Sequence, residues 1–169
     1  MNRVLASWNQ AEPGAALDAM LACCGAKRWA AAMVALRPIE NIVELSEAAD
    51  RIWSTMEEAD WLEAFACHPR IGDRKAVRAG KKSIAWSEQE QAAASRAAGR
   101  VLAELAAGNA LYEQRFGFTY IVCATGKSID EMLAILNRRL ASDRAAELIE
   151  AAEQQRQITQ IRLGKSLVE

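Results

Sequence analysis

At 169 residues the chain suits one domain of ordinary size, since globular domains commonly run to ~100–200 residues. A chain of this length buries roughly 70% of its unfolded surface and needs no disulfide or metal staple. Lys and Arg number 21 against 22 Asp and Glu, a formal charge of −1, so bulk electrostatics give no support to nucleic-acid or anionic-membrane binding.

No run approaches ~18 uninterrupted apolar residues, so no transmembrane span is expected. The four cysteines, Cys23, Cys24, Cys67 and Cys123, include no C-x-x-C pair, and a single histidine leaves no Cys/His cluster at zinc spacing. Vicinal Cys23 and Cys24 do not suit an ordinary disulfide framework, so buried, reduced thiols in a cytoplasmic protein are the simpler expectation. The opening Met1–Trp8 lacks the longer apolar core of a signal peptide. The closing Ser166-Leu-Val-Glu169 is not a peroxisomal Ser-Lys-Leu tail.

In chain order, Pro13 and Gly14 open the first predicted helix, which runs to about Cys24 with Leu17, Met20 and Leu21 on one side. Gly25 is its stop signal. A second helix covers Lys27 to Leu36 and ends before Arg37-Pro38. Asn41 caps a third, carrying Val43, Leu45, Ile52, Trp53 and Met56 at three- and four-residue spacings. Asp60 starts a helix over Trp61–Cys67. From His68 to Ala85, two glycines, a proline and the basic residues Arg74, Lys75, Arg78, Lys81 and Lys82 indicate an irregular loop. Ser87 opens a long alanine-rich helix to about Ala107 that Gly108 ends, and Asn109 begins a short one to about Arg115. Phe116 to Gly126 is the most strand-like run, dense in aromatic and β-branched residues. It has no partner strand, so an extended buried segment is expected. Ser128 to Leu140 and Asp143 to about Leu163 complete the set. The prediction is an all-α, single-domain bundle of about eight helices over residues 1–169, with one extended buried segment.

Four stretches can carry chemistry. His68-Pro69-Arg70-Ile71-Gly72-Asp73 holds the only histidine, the side chain whose unperturbed proton equilibrium lies nearest neutrality. Pro69 biases His68 away from helical dihedrals, so the preceding helix ends near Cys67. His68 is then either a cap at a helix C-terminus, where the dipole favours its cation, or an acid–base group. Ser87 and Glu90 stand at the S-x-x-E spacing of a capping box, a device repeated at Ser128 and Glu131. A helix N-terminus also suits an anionic ligand. In Phe116–Ser128 the side chains of Tyr120, Ile121 and Val122 read as core, while extended backbone offers donors and acceptors that a helix cannot. Ala124-Thr-Gly-Lys-Ser128 resembles the end of a P-loop, but Ile121 stands where its first glycine belongs, which rejects triphosphate binding. Arg162, flanked by aliphatics in Ile158-Thr-Gln-Ile-Arg162-Leu163, is either a snorkelling surface residue or an inward bidentate anchor.

Together these blocks (His68-Pro-Arg-Ile-Gly72, Ser87-x-x-Glu90-Gln91, Asn109-x-x-Tyr112-x-x-Arg115-Phe-Gly-Phe118, Ile121-Val-Cys-Ala-Thr-Gly-Lys-Ser128 and Ile158-Thr-x-Ile-Arg-Leu163) resemble the OHCU decarboxylase family. OHCU is 2-oxo-4-hydroxy-4-carboxy-5-ureidoimidazoline, an intermediate of urate breakdown. The resemblance runs from about Leu5 to Leu167 in one order. It implies a helical, usually homodimeric enzyme with no metal or organic cofactor, whose products are (S)-allantoin and CO₂. It also implies that His68 and Glu90 are catalytic. Pro69, Ser87, Gln91, Phe118, Ile121, Val122, Ala124 and Arg162 then bind substrate, the Phe118–Ala124 segment through its backbone.

The chemistry is compatible with that implication. Loss of CO₂ leaves an electron pair that the substrate's own carbon–nitrogen unsaturation can accept, so no external electron sink is required. A histidine poised near neutrality suits the proton transfers, a contribution typically of ~10²–10⁴-fold. The competing expectation is a helical dimeric module that binds an anionic partner in the same pocket without turnover.

Overall fold

The structure, a computed structural model, describes residues 2–70 and 88–167, with the side chains of 88–95 excepted. Among the described residues there are eight helices and no strand: α1 (Arg3–Gln10), α2 (Pro13–Cys23), α3 (Lys27–Ala35), α4 (Ile42–Trp53), α5 (Glu58–Ala66), α6 (Glu88–Phe116), α7 (Ile129–Arg139) and α8 (Arg144–Leu167). The all-α class and the number of helices agree with the sequence reading. The number agrees because two differences cancel: α1 is an additional helix, and the two helices expected around Gly108 are one. The chain groups into two compact units, one of residues 1–67 with 148–169 and one of residues 68–147.

In the first unit α3 is the hub, packing on α2, α4 and α5 with Trp29, Ala30 and Met33 fully buried. Three tryptophans fill this core while their indole N–H groups find backbone acceptors on other elements. Trp8 donates to the Ala16 carbonyl, Trp29 to Ala49 and Trp53 to Ala152, each at 3.1 Å. This is the usual arrangement for a large apolar body with one polar edge. Helix α1 has few residues of its own to hold it. Asn2 caps its start by accepting from Val4 and Leu5 N–H. Arg37 caps its end from far along the chain, with Nη1 reaching the carbonyls of Trp8 (2.9 Å) and Ala11 (2.7 Å). Those caps satisfy donors and acceptors that a two-turn helix leaves open. Asn41 caps α4 as expected, accepting from Glu44 N–H at 3.0 Å. Asp60 does not start α5. It stands three residues inside, where its carboxylate takes the Glu57 N–H at 3.0 Å, so the helix begins at Glu58.

In the second unit α6 and α7 pack together. Gly108 does not end a helix but lies inside α6, because its missing side chain makes room for α7: a Cβ there would meet Leu136 Cδ2 at 2.6 Å. Asn109 is no cap either, since its Nδ2 bonds back to the Leu105 carbonyl at 2.8 Å. The true stop is Gly117, whose φ of 81° is open to glycine and costly to residues with a Cβ. Its N–H closes the last turn on Glu113 O at 2.8 Å. The expected extended segment follows. Phe118, Tyr120, Ile121, Val122 and Cys123 are buried, and Ala124 is exposed. Ser128 and Glu131 then form a reciprocal capping box on α7, with bonds of 2.6 and 3.1 Å.

Candidate active site

Helix α5 ends at Ala66 with Cys67 as its cap, so His68 is the first residue of the turn beyond, and its side chain is half-buried. Pro69 beside it is exposed. Arg70 ties this turn to α6 through a two-pronged pair with Glu113, Nε to Oε1 at 2.7 Å and Nη2 to Oε2 at 2.5 Å. A planar guanidinium in that fork fixes direction as well as distance, so the backbone that carries His68 is anchored two residues beyond it. Ser87 lies outside the described residues. Glu90 and Gln91 are placed by backbone alone, in the first turn of α6.

Phe118, Ile121 and Val122 have buried side chains, whereas Ala124 is exposed. Among the described residues, no hydrogen bond is made to or by the backbone of Tyr120 or Val122. Their neighbours are different: the Ile121 carbonyl takes Arg139 Nη1 at 2.6 Å and the Cys123 carbonyl takes Lys127 Nζ at 2.7 Å. Buried backbone groups are normally paired, and here the pairing on alternate residues is supplied by cations.

Arg139 is a residue that motif reading passed over. It is 2% exposed and Glu147 1% exposed. Its Nε donates to Glu147 Oε1 at 2.6 Å, and Nη2 pairs with the same carboxylate. Nη2 also donates to the Tyr112 hydroxyl at 3.3 Å, and that hydroxyl donates to Glu147 at 2.5 Å. The guanidinium lies over the Tyr120 ring, 4.9 Å from its centroid. Burial works against the Arg139 cation, but the bond to Glu147 and the fields of Tyr112, Glu147 and Tyr120 outweigh it and hold the proton more firmly than usual. Burial also pushes the Tyr120 hydroxyl up to about 12 and the Tyr112 hydroxyl well above its ordinary range, the latter helped by its bond to Glu147. The sequence signal was slight: an arginine three residues after Leu136, on the buried face of α7.

In the other unit, Arg162 on α8 is half-buried. Its Nη1 donates to the Cys23 carbonyl, the last residue of α2, at 3.3 Å. A cation suits that end of a helix, and the bond takes one of five guanidinium donors. Arg162 is therefore neither a free surface residue nor fully engaged. The thiols of Cys23 and Cys24 beside it are raised chiefly by burial, Cys24 to about 11. Among the described residues no group of three or more His, Cys, Asp and Glu is placed to hold a metal ion, and no helix is long and apolar enough to cross a membrane.

These features define an all-helical protein that presents one histidine on an anchored turn and an irregular, cation-braced stretch of backbone. The profile of the OHCU decarboxylase family matches residues 9–164, and the chain belongs to that family. It is 34% identical over 149 residues to the uric acid degradation bifunctional protein TTL of Arabidopsis thaliana, covering 88% of this chain and 46% of that one. It thus spans about half the length of that relative. It is 30% identical over 134 residues to the 2-oxo-4-hydroxy-4-carboxy-5-ureidoimidazoline decarboxylase of Amia calva, covering 79% of this chain and 77% of that one. A crystal structure of OHCU decarboxylase in the presence of (S)-allantoin superposes with a TM-score of 0.74 at 31% identity, over 90% of this chain and 99% of the other. An (S)-allantoin synthase structure, 18% identical with a TM-score of 0.69 over 96% of this chain and 54% of that one, shares the fold.

Proposed function

We propose that this protein decarboxylates 2-oxo-4-hydroxy-4-carboxy-5-ureidoimidazoline to (S)-allantoin and CO₂ in urate breakdown. The observation that carries the reading is family membership across residues 9–164, with the His68-Pro69-Arg70-Ile71-Gly72 block present in full. His68 acts as the acid–base group, taking a proton from the 4-hydroxyl or delivering one to the carbon that CO₂ leaves. Glu90 pairs with His68 or accepts ring and ureido N–H bonds. Ser87 and Gln91 contact substrate from the same helix start, Pro69 forms a wall, and the backbone of Phe118, Ile121, Val122 and Ala124 holds ring edges. Arg162 anchors a ring oxygen or the ureido group. A strong grip on the departing carboxylate would stabilise the ground state and slow its loss, so that role is not given to it. The substrate is its own electron sink, and no cofactor enters the scheme.

We read residues 1–169 as one functional domain, in a cytoplasmic homodimer. Support comes from the family profile running through both compact units and from the resemblance in the five sequence blocks. Sedimentation at micromolar concentration tests the dimer.

The activity is tested with freshly generated substrate, following rate and optical activity together. An accelerated decay to one hand of allantoin is expected. Decay at the uncatalysed rate to racemate would sink the reading. In a folded His68→Ala variant turnover falls by ~10²-fold or more, and retained turnover removes His68 from the mechanism. Arg162→Ala raises KM more than it lowers kcat if the anchor holds evenly through the reaction.

A further inference from the structure

We propose that Arg139 is a positioning residue for this reaction: anchored by Glu147 and Tyr112, it fixes the Phe118–Ala124 backbone against substrate through the Ile121 carbonyl. The inference rests on the decarboxylase reading for its substrate, and on the geometry of residues 112–147 for its cause.

All three guanidinium nitrogens of Arg139 are engaged. Nε and Nη2 hold Glu147, Nη2 also meets the Tyr112 hydroxyl, and Nη1 alone reaches out of the triad to the Ile121 carbonyl at 2.6 Å. The triad ties together three places that are distant along the chain: Tyr112 near the end of α6, Arg139 at the end of α7 and Glu147 in the first turn of α8. The Ile121 carbonyl is therefore referred to three helices by one rigid plane.

In an extended chain, residues two apart direct their carbonyls to the same side and the residue between directs its own the other way. With Ile121 held by Arg139 and Cys123 by Lys127, the Val122 amide and carbonyl face away from both cations. That edge makes no hydrogen bond among the described residues. The aromatic cluster of Tyr112, Phe116, Phe118 and Tyr120, with centroids 4.7, 5.7 and 5.1 Å from Tyr112, supports the side chains of this stretch but gives its backbone no direction. The bonds from Arg139 and Lys127 do that. Arginine suits the task because a planar fork bonds several partners at fixed angles, whereas a lysine ammonium is a point charge.

Arg139→Lys is the primary variant, since it keeps the buried charge opposite Glu147 and removes the fork. In the folded variant KM rises by about tenfold, and inhibition by (S)-allantoin weakens by a similar factor, because small misplacements of positioning groups are costly. A merely structural role lowers the amount of active enzyme and leaves KM unchanged. Trp53→Phe, which loosens the other unit by deleting an indole bond to Ala152, is the control that shows this behaviour. A folded Arg139→Lys enzyme with KM within about twofold of the parent overturns the inference. If that variant does not fold, Tyr112→Phe replaces it: both charges stay, one anchor is lost, and KM rises by about two- to fivefold. An unchanged KM there is equally fatal. Amide hydrogen exchange at Ile121, Val122 and Cys123 is read without substrate, in whichever variant folds. It quickens if Arg139 holds the segment, and an unchanged rate rejects the inference. Failure of the parent enzyme to turn over substrate sinks the decarboxylase reading, while the exchange measurement still decides what Arg139 holds.

Discussion

The two compact units solve the same problem in opposite ways. In residues 1–67 with 148–169, helices satisfy their own backbone except at ends such as those Arg37 and Arg162 reach, and the buried core takes neutral help: Trp8, Trp29 and Trp53 each place one indole N–H on a carbonyl. Charged groups there stay at the margin, as in the Arg156 bonds to Asp50 and Glu153 and the Gln160 bond to Asp50. In residues 68–147 an ion pair, Arg139 with Glu147, sits among aromatic rings at the centre. The difference follows from backbone regularity. A helix needs outside partners only at its ends, whereas an extended segment with no partner strand has no such internal supply. Charge is buried where the backbone is irregular.

The harshest way to break the contrast is Glu147→Ala. It leaves the Arg139 cation buried without its counter-charge, and removing one partner of a buried pair typically costs ~3–5 kcal/mol. Urea unfolding should register a loss in that range. A loss below about 1 kcal/mol would mean that water or another carboxylate compensates.

Alkaline titration sharpens the contrast. Cys24, in the first unit, ionises at about 11 in the folded protein against a usual 9.0, and Tyr120, in the second, at about 12 against 10.0. In both cases burial raises the folded value, so the folded state keeps a proton that the unfolded chain releases. Stability is therefore full below each unfolded value and falls as pH rises past it. Cys24 begins the loss above pH 9 and contributes on the order of 2 kcal/mol by pH 11; Tyr120 follows from pH 10 upward. Both tyrosines lie in the second unit, and Trp8, Trp29, Trp53 and Trp61 lie in the first. The fifth tryptophan, Trp86, falls within the second by sequence, so tyrosinate absorbance and, in a Trp86→Phe background, tryptophan fluorescence read the two separately. Tyrosinate appearing near pH 10 while the fold is intact contradicts the burial argument.

Trp29→Phe is the mildest test. It removes the bond to Ala49 and part of a fully buried ring, for an expected cost of about 1–2 kcal/mol in thermal or urea unfolding. A cost as large as that of Glu147→Ala would erase the contrast between a neutral core and a charged one.

Much of this architecture was legible in local sequence. The Asn41 cap, the Ser128–Glu131 box, the helix end at Cys67 and the extended buried run after Gly117 all follow from short-range chemistry that needs no distant partner. The two clearest departures share a cause. Helix α1 is closed by Arg37, nearly thirty residues away, and Gly108 stays helical because Leu136 of α7 occupies its empty face. Neither partner can be assigned from neighbouring residues. The candidate site divides along the same line. His68 and its flanking Pro69 and Arg70 stood out by rarity and spacing, but Arg139 did not, because a buried arginine and an exposed one look alike in a helical run.

The sequence by itself determined the helical class, most of the helix boundaries, the single histidine at a helix end and the blocks that mark the family. These depend on propensity, capping and composition within a few residues. The tertiary structure alone decided that Arg70 anchors the histidine turn to Glu113, and that Arg139, Glu147 and Tyr112 converge on the Ile121 carbonyl. Those pairings join residues up to 43 positions apart, and only the packing of helices brings such partners within a bond length.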